Sequence, residues 1–137
     1  MTDTSLRAVA RRRITLATLA AVTVAAGLLV HRFGTGILGD VAGDALYATM
    51  IYLVIACLLA RSSRRLAAAL AIVFCSGIEL LQLTGLPRSL AETFPPAALV
   101  LGVGFDLRDL IVYATAILIA LLLDVTVSKS ARRGERH

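Results

Sequence analysis

Four long apolar runs, at 14–30, 41–60, 66–84 and 110–127, are separated by short polar or broken stretches. Each holds about 17–20 residues, which at 1.5 Å rise per residue is enough to cross a hydrocarbon core of about 30 Å. Backbone N–H and C=O groups in hydrocarbon must be satisfied within the segment, so the runs predict helices. The period-two alternation of a membrane barrel is absent. The predicted architecture is therefore all-α: one four-helix, multi-pass membrane domain over 14–127, with basic tails at 1–13 and 128–137. Between the third and fourth runs, 85–108 is too long for a turn and too apolar for a plain solvated loop. It carries Pro87, Pro95-Pro96, the five apolar residues 97–101, and then Gly102-Val103-Gly104-Phe105. Five apolar residues cannot span a bilayer. A short interfacial or re-entrant piece before the last helix is one reading, and an outer loop lying on the headgroups is the other.

Composition agrees with burial in lipid. Hydrophobic residues make up 58% of the chain, charged residues 17%, and the mean hydropathy is +0.86. A soluble domain carries about 25% charged residues, so too few polar side chains remain here to cover a wetted surface. The 137 residues allow one domain. The net charge of +5 is unevenly spread. Arg7 and Arg11–Arg13, then Arg61, Arg64 and Arg65, then Lys129, Arg132, Arg133 and Arg136 flank the apolar runs. With four spans, all three clusters fall on one side, and the positive-inside tendency makes that side the cytoplasm, with both termini in it. The protein is thus expected in the cell membrane. The arginines before the first run suggest a signal peptide, but His31, Arg32 and Phe33 follow it in place of a small-x-small cleavage site, so a retained anchor is expected.

Nucleic acid is not an expected partner despite a pI of about 10.0, because tryptophan is absent and the three tyrosines are not interleaved with arginine. Cys57 and Cys75 lie inside apolar runs and read as small hydrophobes, not as a disulfide or metal pair. Without a burial force between helices in lipid, contacts are expected at small residues. Thr23 and Gly27, and Ala67, Ala71 and Cys75, repeat at four-residue spacing.

The polar residues at the ends of the runs carry the candidate chemistry. An Asp at the centre of a membrane helix costs about 2.5–3.5 kcal/mol, and less toward the ends. Asp40, Asp44 and Tyr47 share one helical stripe, as do Glu79 and Gln82, and Asp109 and Tyr113. All fall on the outer side, where the loops add His31, Arg88, Asp106 and Arg108. Capping accounts for Asp40 and Asp109, and arginine neighbours or interfacial water for Asp124. Glu79 is different, because an anion near a helix C-terminus opposes the dipole. Asp44 lies a full turn inside its helix. Both are expected to face the bundle interior in one layer. The candidate site is Asp44, Glu79, Gln82, Arg88 and Asp109, walled by Tyr47 and Tyr113.

Gly43-Asp44, Glu79-Leu80-Leu81-Gln82, Arg88, Gly102-Val103-Gly104-Phe105, Asp109 and Tyr113 occur in that order. In this the chain resembles a small bacterial four-helix membrane family of unknown function, related to the VanZ-like proteins associated with teicoplanin resistance. The resemblance runs over about 40–124 and departs where Ala116 replaces a Gly. It implies an outer-face polar site that binds an envelope lipid or glycopeptide. Two alternatives stay open: a small intramembrane enzyme using carboxylates for acid–base work, and a transporter, which would need the chain to form a homo-oligomer. Ser76 has no evident His partner, and neither a cofactor nor a metal is implied. Membrane lipids are the expected surroundings and partners.

Overall fold

The computed structural model describes residues 3–134, with side chains described for 5–128. Six helices follow one another: α1 (Asp3–Phe33), α2 (Gly36–Leu58), α3 (Arg64–Gln82), α4 (Leu86–Thr93), α5 (Ala97–Leu101) and α6 (Leu107–Gly134). α1, α2, α3 and α6 are each long and apolar enough to cross a membrane. No strand occurs among the described residues. The all-α, four-span architecture expected from the apolar runs is therefore present.

The helices overrun the apolar runs. α1 has 31 residues and is about 46 Å long, so the stretch expected as a basic tail is helical from Asp3 onward. α6 likewise continues past the fourth run to Gly134. Residues 1–2 and 135–137, which include parts of both expected tails, lie outside the described residues. α2 starts five residues before the second apolar run, because the link from α1 is only Gly34-Thr35. Thr35 is extended and takes the N-cap position. The chain doubles back so tightly that a Cβ at Gly39 would lie 2.8 Å from the Gly34 carbonyl carbon, a place only glycine fills. Asp40 is consequently inside α2 and caps nothing.

The stretch after α3 is more ordered than either reading of it. Gly85, at φ 73°, turns the chain into α4, whose Pro87 is buried. Pro96 and Gly102 bracket the short α5.

α2 is the central element. It packs against α1, α3 and α6, and α3 packs against α6. The seam is made of small residues at four-residue spacing: Ala48 and Ala56 around Tyr52 on α2, and Ala67, Ala71 and Cys75 on α3. Short side chains let backbones approach, so dispersion and polar contacts supply the attraction that apolar burial cannot supply in lipid. The spacing in the third run is thus a true contact seam. That of Thr23 and Gly27 is not, since a Cβ at Gly27 would meet nothing within 4 Å. Among its described side chains, α1 buries only Leu16 and Ala20. Large side chains such as Val22, Leu29, Val73, Leu118 and Leu122 point outward, as expected of a bundle solvated by acyl chains.

The up-and-down order gives the bundle two chemically different ends. The start of α1, the α2–α3 link and the last turns of α6 carry the basic clusters. The α1–α2 turn, α4, α5 and the start of α6 carry the acids.

Candidate functional site

At the acidic end Glu79 is completely buried. The Tyr113 hydroxyl donates to its Oε1 at 3.0 Å, and the Asp106 backbone N–H donates to its Oε2 at 3.3 Å. A carboxylate one turn from the C-terminus of α3 opposes that helix's dipole, but it stands at the N-terminus of α6, where the dipole favours an anion. Glu79 thus locks α3 to the start of α6. Asp106 completes this corner: its Oδ1 accepts from the Arg108 N–H at 2.8 Å and caps α6. The capping role expected of Asp109 belongs to Asp106.

Asp109 is in the first turn of α6 and turns its carboxyl toward that of Asp44 on α2, within hydrogen-bond reach. Two carboxyl groups in this relation attract a donor, either a shared proton or a cationic group. Arg108 comes near but not into tight contact, at 3.5 Å from Asp109 Oδ1 and 3.5 Å from Asp106 Oδ2. Both distances exceed the range of a direct N–H···O bond.

Tyr47 and Gln82 hold α5. The Tyr47 hydroxyl donates to the Val100 carbonyl at 2.7 Å, and Gln82 Nε2 donates to the Leu101 carbonyl at 2.8 Å. These are among the last carbonyls of α5, which have no partner within the helix. Gly102, at φ 63° and ψ −177°, then bends the chain away in a conformation essentially restricted to glycine. The Tyr47 and Tyr113 rings lie 6.1 Å apart between centroids, at 51°. Only the donor side of Gln82 is used; its Oε1, like Asp109 Oδ1, is buried without a hydrogen-bond partner.

A half-open cavity of about 1050 Å³ lies beside this cluster, between the end of α1, the first turns of α2, α5 and the start of α6. Its polar lining includes Asp40, Asp44, Asp106 and Asp109 against one arginine, Arg108, with His31 at the rim; Val24, Leu28 and Leu99 are among its apolar lining.

Of the residues singled out from the sequence, the fold brings together Asp44, Tyr47, Glu79, Gln82, Asp109 and Tyr113. Glu79, Tyr47 and Gln82 work as struts, and Asp44 and Asp109 as the open carboxyls. Arg88 is not brought in: it is exposed on α4, forms no ion pair among the described residues, and lies outside the cavity lining. Arg108 occupies the place expected for it. Asp106 and Arg108 were legible only as charges opening the last helix, and their roles depend on the corner that Glu79 makes.

At the opposite end Asp124 joins the four long helices. It accepts from Arg12 Nη2 of α1 at 3.1 Å, Arg64 Nε of α3 at 3.0 Å and the Tyr52 hydroxyl of α2 at 2.9 Å. Arg64 also donates to Ser128 Oγ at 2.6 Å, and Arg12 to the Ala60 carbonyl at 2.7 Å. This is the arginine pairing expected of Asp124, extended to a knot across the bundle.

The profile of a family described as a protein of unknown function (DUF2809) matches residues 33–117, more than half of the chain. The match takes in Asp40, Asp44, Tyr47, Glu79, Gln82, Asp106, Arg108, Asp109 and Tyr113, but not His31, and ends before Asp124. No curated protein and no solved structure matches the chain.

Proposed function

The chain belongs to the DUF2809 family, described as one of unknown function, and we propose from its own site that it binds the headgroup of an amphiphile in the acidic-end cavity. The protein is taken to lie in the bacterial cell membrane with both termini cytoplasmic, which puts this cavity on the outer side, toward the envelope. Its ligand is rich in hydrogen-bond donors, an aminated or hydroxylated headgroup of a lipid or glycopeptide.

The observation that carries this reading is an excess of acceptors. Gln82 Oε1 is buried in the cavity wall without a hydrogen-bond partner, and the buried Asp109 Oδ1 meets only Arg108 Nε, at 3.5 Å. Four aspartates line the cavity against a single arginine. A buried acceptor left unpaired costs about 1–3 kcal/mol, so a ligand that supplies N–H or O–H groups there recovers that cost. The apolar lining from α1 and α5 suits the first carbons of a tail.

Phosphatidylethanolamine and phosphatidylcholine separate the idea cleanly, since the first headgroup has three N–H donors and the second none. Purified protein equilibrated with vesicles of each lipid is washed, and retained lipid is counted by native mass spectrometry. Wild type is expected to keep the ethanolamine lipid preferentially. The Asp44→Asn, Asp109→Asn double variant is expected to lose that preference. Equal retention of both lipids by wild type, with no donor-rich lipid or glycolipid co-purifying from membranes, would refute the proposal.

A further inference from the structure

A second cavity, of about 710 Å³, lies toward the other end of the bundle. α1 and α6 both pack on α2 and leave a furrow between them. Ala45, Thr49 and Leu53 of α2 form its floor, with Leu19 of α1 on one wall and Ile119 and Leu123 of α6 on the other. At its basic end Arg12 and Arg64 share the one carboxylate, Asp124, among the described lining residues, which leaves the pair with an excess positive charge; Arg11 also lines this end. One donor there is conspicuous: Arg12 spends its two Nη atoms on Ala60 and Asp124, while its Nε is buried with no acceptor.

We infer that this furrow is a second lipid site, holding one acyl chain of an anionic glycerophospholipid whose phosphate is received by the arginines at its basic end. Three features fit that occupant together. The charge of the lining is positive, and guanidinium groups bind phosphate oxygens through directed N–H bonds. From Arg12 to Thr23 the furrow follows twelve residues of α1, a rise of about 17 Å over the steps between them. That is close to half of a hydrocarbon core of about 30 Å, the depth one leaflet's chains reach. Between its ends the wall is apolar, with Leu16, Leu19, Leu53, Ile119 and Leu123 in its lining, as an acyl chain requires. The site lies at the end away from the acidic cavity and its ligand has the opposite charge, so the two proposals stand or fall separately.

The chain contains no tryptophan, so a single introduced one reports only its own surroundings. Ile119→Trp places the reporter in the furrow wall, with Leu123→Trp as a second position there. Phe74→Trp, on an exposed part of α3 away from the furrow, is the reference. Each variant is reconstituted in phosphatidylcholine vesicles containing a minor fraction of acyl-brominated phosphatidylglycerol or acyl-brominated phosphatidylcholine. In the furrow, quenching per brominated lipid is expected to be about fivefold greater for phosphatidylglycerol, the effect of one uncompensated basic group. At Phe74→Trp the two lipids should quench alike. Adding Arg12→Gln should bring the furrow reporters to parity. Thr49→Leu, which fills the floor without touching the arginines, should lower quenching by brominated phosphatidylglycerol at Ile119→Trp only. Equal quenching by both lipids at the furrow positions would overturn the inference. So would protection from both, which would mean that a second copy covers the furrow.

Discussion

Asp124→Asn tests whether the basic-end knot anchors the bundle. Asparagine keeps the shape of the side chain but removes the charge and replaces one acceptor oxygen with an N–H₂ group. That group must then face either Arg12 and Tyr52 or Arg64, and the guanidinium groups can only donate. Two charge-assisted bonds are lost or reversed, each worth about 1.5–3 kcal/mol. Breaking a buried pair from one side typically costs about 3–5 kcal/mol, because the partner charge is left uncompensated. The Arg12 and Arg64 side chains remain 19% and 25% exposed, so part of the loss is relieved as their ends turn to the headgroups. The expected destabilisation is about 2–4 kcal/mol. Reversible unfolding in mixed lipid–SDS micelles, followed by helical circular dichroism, measures it. A cycle with Arg64→Met should give a coupling energy of about 1–2 kcal/mol. A change within about 0.5 kcal/mol of wild type, the range of ordinary surface substitutions, would refute the reasoning. The four helices would then be held by the alanine seam alone.

Two further outcomes are expected. Gly102→Ala forces a side chain into a conformation reserved for glycine, and its Cβ would collide with Gln82 Nε2; a loss of about 1–3 kcal/mol should appear in the same unfolding assay, together with faster proteolysis around α5. In a variant lacking Cys57 and Cys75, a cysteine at position 35 should be labelled by an impermeant reagent from outside intact cells and one at position 63 should be protected; the reverse pattern would turn the acidic cavity inward.

The sequence by itself determined the elements that lipid dictates. A bilayer demands that each span satisfy its own backbone bonds, so four apolar runs imply four helices without knowledge of their neighbours. The segregation of charge was legible for a similar reason, since with four spans the loops alternate sides and their arginines can be counted. The shared stripes of Asp44 with Tyr47 and of Asp109 with Tyr113 were legible too, because helical periodicity is local. Helix ends were less so. α1 and α6 extend well past their apolar runs, where water tolerates charged side chains on a continuing helix.

Only the tertiary structure decided what those residues do, because their roles depend on how each helix is rotated against its neighbours. Glu79 reads as a misplaced anion until the start of α6, 27 residues away along the chain, supplies the Asp106 N–H and a favourable dipole. Tyr47 reads as a wall and Gln82 as a member of a binding site until α5 presents its last carbonyls to them. Arg88 and Arg108 read alike in the sequence, yet α4 turns one outward while α6 draws the other among the aspartates. Asp124 meets Arg12 across 112 residues of sequence. No local pattern encodes such a pairing, because it exists only once the α2, α3 and α6 seams have packed and brought the ends of four helices into one layer.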